Sequence, residues 1–405
     1  MNKKPLTKKE INSLIKKQKK ISLSNEWLDI KNCEGRILAK NIVSKINVPP
    51  FNNSAVDGYA VLKKDLIKNK ELLCTRRIAA GDNHIIQIKN GEALRIFTGA
   101  KMPTNSKTVV MQENVEKKGN KIIIKKTPSF GENYRVKGED IKSNTIILKK
   151  GTKINTNNIN LIAAAGIKKV QVVKKIKVGY FTSGNELKKI TTKLKGAEIN
   201  NSNYYSLNSL LKIEFIKKNY CGNLIDSFTL IEKKFLDLSK KFNVIITTGG
   251  ASVGEEDYLI DVIKKNGKIL FWKAAIKPGR PIAMGKINNC YLICLPGNPV
   301  SVQLLFAFFV KPFLNYISGG EFLIPLPEKI KVNFNMNKKT KRMEWLRVLK
   351  KKNYIDFFVE KFPKQGSGMI SSIAYSDGII EIPENISLVR PGDIYDFYDY
   401  KILFY

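Results

Sequence analysis

The spacing of apolar positions changes several times along the chain, and the changes divide it into segments. Near the amino terminus, Thr7-Lys8-Lys9-Glu10 has capping-box spacing and leads into Ile11, Leu14 and Ile15, the stripe of a short helix. A second helical pattern runs through Cys33-Glu34-Gly35-Arg36-Ile37-Leu38-Ala39. From Val48 to about Val136 the texture becomes β-like. Ala93 to Phe97, Thr108 to Met111 and Lys121 to Ile124 are short β-rich runs between Gly, Asn and Pro turns, which predicts a small mostly-β domain. The stretch from Gly138 to about Val173 is mixed, with Asn155 to Ala165 helical. From Ile176 strand and helix alternate. Lys175 to Phe181, Phe242 to Thr247 and Tyr291 to Leu295 are nearly continuous apolar runs, each ending in a polar, Gly-bearing turn, as expected of βα units around a parallel sheet. After about Gly320, β texture returns at Lys329 to Phe334, Glu344 to Leu349, Tyr354 to Val359 and Ile379 to Ile382, which predicts a C-terminal β-barrel or sandwich. The expected plan is residues 1–47 with 138–174, then 48–137, 175–320 and 321–405.

With 405 residues and 43% apolar content, the chain is long enough for several domains with their own cores. No run approaches membrane-spanning length. The longest, Leu304 to Val310, should end at Lys311-Pro312. Residues 1–20 are Lys-rich without the apolar core or cleavage site of a secretory signal, so a cytoplasmic location with no membrane partner is expected. Cys33, Cys74, Cys221, Cys290 and Cys294 show no CxxC spacing, which argues against a disulfide framework or a thiolate zinc site. His84 is the only histidine, so a metal would have to be held by oxygen. The net charge of +36 invites a nucleic-acid reading, but only nine of the 71 basic residues are Arg. The Lys residues are spread over every region instead of forming one stripe with aromatic partners, so no specific nucleic acid is expected.

Candidate chemistry sits in the turns. Pro49-Pro50-Phe51-Asn52-Asn53-Ser54-Ala55-Val56-Asp57-Gly58-Tyr59 places two prolines and turn residues before a strand, and should present Ser54 and Asp57 to solvent or a ligand. In Pro296-Gly297-Asn298-Pro299-Val300-Ser301, Asn298 suits an N-cap and Pro299 the first helical position, leaving backbone N–H groups free for an anion. Thr248-Gly249-Gly250-Ala251-Ser252 lets backbone approach a phosphate or ring system, yet lacks the Walker lysine and GxGxxG spacing. Lys273 and Lys277, four apart and therefore expected on one face, form with Arg280 a cationic group suited to an oxyanion. Asp57, Asp140, Glu186, Asp226 and Asp257 each lie in or beside a turn, and carboxylates gathered around phosphates hold Mg2+. Taken singly, each carboxylate reads first as a cap or a solvated turn residue.

Six stretches together resemble, in order, the motif series of the molybdopterin molybdenumtransferases, the MoeA family to which the gephyrin E domain is also similar. They are Pro49 to Ala60, Arg95-Ile96-Phe97-Thr98-Gly99-Ala100, Arg135-Val136-Lys137-Gly138-Glu139-Asp140-Ile141, Thr248 to Gly254, Lys277-Pro278-Gly279-Arg280-Pro281 and Leu295 to Ser301. The resemblance implies an elongated multidomain protein with four parts. These are an N-terminal linker domain, a small mostly-β domain, a three-layer α/β molybdopterin-binding domain of the MoaB and Mog type, and a C-terminal β-barrel. It implies an enzyme of molybdenum cofactor synthesis that takes adenylylated molybdopterin and molybdate, with Mg2+, and releases AMP. By motif position Asp57, Thr98, Asp140, Glu186, Asp226, Asp257, Lys273 and Lys277 correspond to active-site residues, with Glu186, Asp226 and Asp257 at the metal. Ser54, Arg135, Gly249, Gly250, Ser252, Arg280, Pro296, Gly297, Asn298, Pro299, Ser301 and Ser367 fall at substrate-binding positions. A homodimer with its site between subunits is implied, with room for a contact to a molybdopterin adenylyltransferase.

Three positions depart from the pattern. Asn52 stands where the family usually has Asp, Asn185 replaces the Asp of a Thr-Gly-Asp-Glu-Leu type turn, and Lys107 sits where an acidic or small residue is common. The competing readings are a molybdopterin adenylyltransferase, which has no place for the additional β domains, and a non-catalytic scaffold of the same fold.

Overall fold

The apolar runs that begin at Ile176 form a six-stranded sheet in the order Ile216–Leu224, Ile176–Ser183, Val244–Thr248, Cys290–Leu295, Ala283–Ile287 and Lys268–Trp272. The structure is a computed structural model that describes residues 4–250, 258–354 and 356–404. The first four strands are parallel; Ala283–Ile287 runs antiparallel to both its neighbours, so Lys268–Trp272 points the same way as the first four. Val244–Thr248 and Cys290–Leu295 are buried at every position, which is why their sequences show no alternation. Successive side chains still point to opposite faces: Ile246 and Ile293 enter one apolar core, Ile245 and Leu292 the other.

One of these cores extends beyond the sheet. The helix that follows Cys290–Leu295 runs from Pro299 through Ile317, with a π-helical segment at Phe306–Val310 and a final α-helical stretch at Lys311–Ile317. Lys311-Pro312 therefore does not end it, contrary to the sequence expectation. The wider π turn lies directly before Pro312, which has no N–H to donate. At 19 residues and a mean hydropathy of 1.5 the helix is also long and apolar enough to cross a membrane, but 83% of it is buried inside the molecule, as in a core helix. Phe308 stacks on Trp345 at 4.5 Å and meets Tyr398 edge-on at 4.8 Å, so the α/β layer shares one core with the C-terminal strands. The N-terminal helix Lys8–Lys16 adds Ile11 and Ile15 to it, and Thr7 and Glu10 form the expected capping box.

The C-terminal strands close into a barrel. Met343–Lys352 pairs with Phe357–Lys361 on one side and Gly378–Ile382 on the other, and Glu328–Val332 and Ile394–Asp399 complete the circuit. Ile276–Lys277 adds to Met343–Glu344 in parallel and ties the barrel to the α/β layer. A separate six-stranded sheet, ordered Thr108–Met111, Gly58–Val61, Glu92–Ile96, Glu71–Ile78, Lys121–Ile124 and Val115–Lys118, forms the small β unit. Two short ribbons lead to it, Asn25–Asp29 with Lys169–Val173 and Ile42–Val43 with Ile146–Leu148. The stretch from Cys33 to Ala39 is not helical, contrary to its pattern. Ile37 and Leu38 make isolated bridges to Lys153 and Val172, and these adjacent residues enter two different cores, as the opposite-facing side chains of extended backbone do.

Candidate functional site

Three Gly-bearing turns meet at the carboxyl ends of the parallel strands, where open α/β sheets bind ligands. Gly249 N–H donates to the Leu295 carbonyl at 3.0 Å. A Cβ on Gly249 would lie 2.5 Å from the Ser183 carbonyl oxygen, and its φ of +83° is also one that side-chain-bearing residues resist. Gly297 comes so close to Gly249 that a Cβ there would stand 3.7 Å from the Gly249 Cα. Asn203, at the start of helix Ser202–Leu210, donates from Nδ2 to the Gly297 carbonyl at 2.7 Å. Asn203 Oδ1 and the hydroxyls of Thr247 and Thr248 are buried here without a partner. Groups of this kind are costly to leave unpaired, so the crevice offers polar ligand sites. Ser252 and Asp257 lie outside the described residues.

The Pro296–Ser301 turn departs from expectation in two details. Asn298 occupies the N-cap but its side chain makes no capping bond. One of the N–H groups expected to be free, that of Val300, donates to the Ser367 carbonyl at 3.2 Å. The same contact brings Ser367, from the barrel, to the mouth of the crevice.

Two of the predicted acidic residues converge on the Ser183-Gly184 turn. Ser183 Oγ donates to Asp226 Oδ1 at 3.1 Å, and Asn223 Nδ2 donates to the Gly184 carbonyl at 2.9 Å. The Glu186 carboxylate folds back over Gly184, where a Cβ would lie 2.5 Å from its oxygen. Among the described residues no cluster of three metal-ligating side chains occurs. Two carboxylates at one turn still fit Mg2+, which commonly takes one or two protein carboxylates and completes its shell with water and substrate phosphates. Asn185 is exposed.

Beside these turns a cleft of ≈ 450 Å³ separates the α/β layer from the barrel. Lys277, Arg280, Arg342 and Arg347 line it against one carboxylate, Glu344. Lys277 Nζ lies 2.9 Å from Glu344 Oε1. Arg347 is fully buried and donates to Ser372 Oγ and to the carbonyls of Trp345 and Gly366, all neutral acceptors. Burial lowers its pKa, yet a guanidinium remains charged in proteins, so its positive charge is offered to the cleft. A second recess of ≈ 320 Å³ shares Lys277, Arg342 and Glu344 and adds Lys338, Lys339 and Lys361. Lys273 does not share a face with Lys277. The chain turns at Lys273, whose φ is +74°, and its ammonium rests over the Trp272 ring at 4.1 Å, while Lys277 belongs to the short strand on the barrel. Only Lys277 of the two lines the cleft.

The β unit carries the remaining candidates. Asp57 Oδ1 accepts from Thr98 N–H at 2.8 Å and Thr98 Oγ1 at 2.7 Å, and these bonds, the backbone one first, hold its carboxyl below the usual range. Ser54 is not presented to a ligand as expected; it is fully buried and its hydroxyl donates to the Val56 carbonyl at 2.6 Å. Arg135 pairs through its backbone with Asn53 and is exposed, as is Asp140. Asn52 Oδ1 accepts the Lys137 N–H at 2.8 Å, a role the oxygen of Asp would fill equally. Lys107 is exposed and nothing in the structure explains its departure. Among the described residues no hydrogen bond, ion pair or cavity lining joins Asp57, Thr98, Arg135 or Asp140 to the crevice.

Family models cover most of the chain in sequence. The MoeA N-terminal region (domain I and II) matches residues 6–166, the "probable molybdopterin binding domain" residues 179–316, and the MoeA C-terminal region (domain IV) residues 329–400. A molybdopterin molybdenumtransferase of Haemophilus influenzae is 32% identical over 96% of this chain and 97% of its own. The chain belongs to the MoeA family. A molybdopterin molybdenumtransferase of Staphylococcus epidermidis is 30% identical over 97% of this chain and 95% of its own. The crystal structure of a molybdopterin biosynthesis moeA protein from Pyrococcus horikoshii superposes with a TM-score of 0.83 at 27% identity, covering 98% of this chain and all of that one. Within this MoeA-family fold, Arg347, Arg342 and Asn203 reach the site without having been singled out in the sequence. Arg347 carried a usable signal, being a rare Arg set inside the apolar run of Met343–Lys352. Asn203 carried none, because its part depends on which helix start meets Gly297.

Proposed function

We propose that this MoeA-family chain is a cytoplasmic molybdopterin molybdenumtransferase that binds adenylylated molybdopterin and molybdate, inserts the metal at the dithiolene and releases AMP. The observation that carries this reading is the cleft in which four cations face one carboxylate directly beside the Gly-lined crevice. Such a site suits a small dianion next to a phosphorylated ligand. Gly249, Gly250, Pro296, Gly297, Asn298, Pro299 and Ser301, with Ser252, cradle the pterin and its phosphates. Lys277, Arg280 and Arg347 neutralise the oxyanion and the pyrophosphate, with Ser367 closing the barrel side and Lys273 flanking the segment. Glu186, Asp226 and Asp257 hold Mg2+. When bound, that ion supplies positive charge to the phosphate oxygens as the phosphoanhydride breaks. No covalent protein nucleophile is needed, and the dithiolene sulfurs are the substrate's.

Because no contact among the described residues joins the β unit of one chain to its own crevice, the reading includes a homodimer. In it, Asp57, Thr98, Asp140 and Arg135 of one subunit complete the site of the other. The test is AMP release from adenylylated molybdopterin by the purified protein, with and without molybdate and Mg2+. Release that requires both is expected. Bound but unconverted substrate under all conditions would overturn the reading.

A further inference from the structure

We propose that Lys8 is a positioning residue for the oxyanion-binding segment Lys273–Arg280, acting from outside the site through Leu6. Leu6 runs parallel to Ala274: its N–H donates to the Lys273 carbonyl at 3.0 Å, and its carbonyl accepts the Ala275 N–H at 2.7 Å. On the other side the Ala275 carbonyl accepts the Met343 N–H at 3.0 Å, and Ile276–Lys277 pairs with Met343–Glu344. The segment is thus clamped between the N-terminal stretch and the barrel. Within it, Ala274 N–H donates to the Arg280 carbonyl at 2.8 Å and Lys273 N–H to the Ile282 carbonyl at 2.9 Å. Lys273 holds the left-handed conformation, which a residue with a side chain keeps only when its surroundings impose it.

What fixes Leu6 is the residue two positions on. Lys8 Nζ lies 2.5 Å from Glu381 Oε2 and donates to Tyr398 Oη at 2.9 Å, with the rings of Phe308 and Tyr398 at 4.7 and 4.8 Å. Trp345 Nε1 donates to the same Glu381 oxygen at 3.1 Å. Both charged side chains are largely buried, with 16% and 17% of their surface exposed. A buried pair of this kind is strongly disturbed when one member is removed, because the other remains charged and unpaired. The Lys8–Glu381 pair therefore anchors the start of the N-terminal helix to the barrel. The helix cap at Thr7 passes that anchorage to Leu6, and Leu6 passes it to the backbone between Lys273 and Lys277.

This inference rests on reading Lys277 and Arg280 as oxyanion ligands, and the experiment separates the two. Lys8→Met and Lys8→Arg would be compared with the parent in the full chain, by hydrogen exchange over residues 4–8 and 272–277 and by steady-state AMP release at varied molybdate. Lys8→Met is expected to speed exchange at Leu6 and Ala275. It should raise the molybdate KM about tenfold with kcat changed less than about threefold and the KM for adenylylated molybdopterin unmoved, and Lys8→Arg should restore both readouts. Should Lys8→Met fail to fold, Glu381→Gln, which keeps the shape and removes the charge, is read the same way. Unchanged exchange in 272–277 overturns the positioning role itself. Faster exchange with an unaltered molybdate KM overturns the proposal through its foundation, the assignment of Lys277 and Arg280 to the oxyanion.

Discussion

Asp57 shows how much one carboxylate owes to its immediate partner. The Thr98 N–H and hydroxyl both bond the same oxygen, and the backbone bond is the larger cause of its lowered pKa. The stabilisation is complete above the ordinary carboxylate pKa and is lost as pH falls from there through the depressed native value. Thr98→Val removes the hydroxyl alone. The Asp57 midpoint should move up part of the way to the ordinary value, narrowing that window from its acid end, and a carbon-detected NMR titration of the carboxylate reads it directly. An unmoved midpoint would show that the backbone bond acts alone. At the neighbouring acidic turn, Glu186→Ala should lower AMP release by about a hundredfold or more, the scale on which preorganised charge acts in catalysis. Asn185→Asp should not reduce it: both side chains are exposed, and it is the Glu186 carboxylate that folds back over Gly184. Full turnover by Glu186→Ala would remove that carboxylate from the site.

The helix Pro299–Ile317 joins what look like separate units. Its amino end carries the crevice turn, and its π segment packs Phe308 against Trp345 and Tyr398 of the barrel. Phe308→Ala should therefore destabilise both the α/β layer and the barrel by about 3–5 kcal/mol, the usual cost of emptying a buried aromatic site. With Trp27 and Trp272 replaced by Phe so that Trp345 is the sole tryptophan, unfolding followed by its fluorescence and by sheet-sensitive circular dichroism should shift together; a shift in only one would mean the two do not share a core. This helix also marks what pattern reading reaches. The parallel strands, their Gly turns and the barrel strands were legible because apolar runs and turn residues are local. The continuation past Pro312 was not, since the π turn that accommodates it depends on packing around Phe306–Val310. Cys33 to Ala39 misled for a similar reason: neighbouring apolar residues serve two cores there, which a single-face count reads as a helix. Ser54 was misread because a turn sequence does not reveal which hydroxyl its own backbone will claim.

Across the whole molecule the decisive fact is separation. The β unit, with Asp57 and Thr98 prepared as an acceptor–donor pair, is reached through two short ribbons, and none of its candidate residues touches the crevice of its own chain among the described residues. The cationic cleft, by contrast, is built entirely where the α/β layer meets the barrel. If a second copy supplies the missing half, a defect in one unit can be corrected by a partner carrying a defect in the other. Asp57→Asn and Lys277→Ala should each be nearly inactive alone. In an equal mixture allowed to exchange subunits, half the dimers are mixed, and a mixed two-fold dimer has one site built from two intact halves and one from two defective halves. Activity should then return to about a quarter of the parent value. Lys277→Ala mixed with Arg347→Ala, both defects lying in the same cleft, should recover nothing. No recovery in the first mixture, although mixed dimers are seen by native mass spectrometry, would place the complete site within one chain, and recovery in the second would overturn the assignment of Lys277 and Arg347 to one chain's cleft.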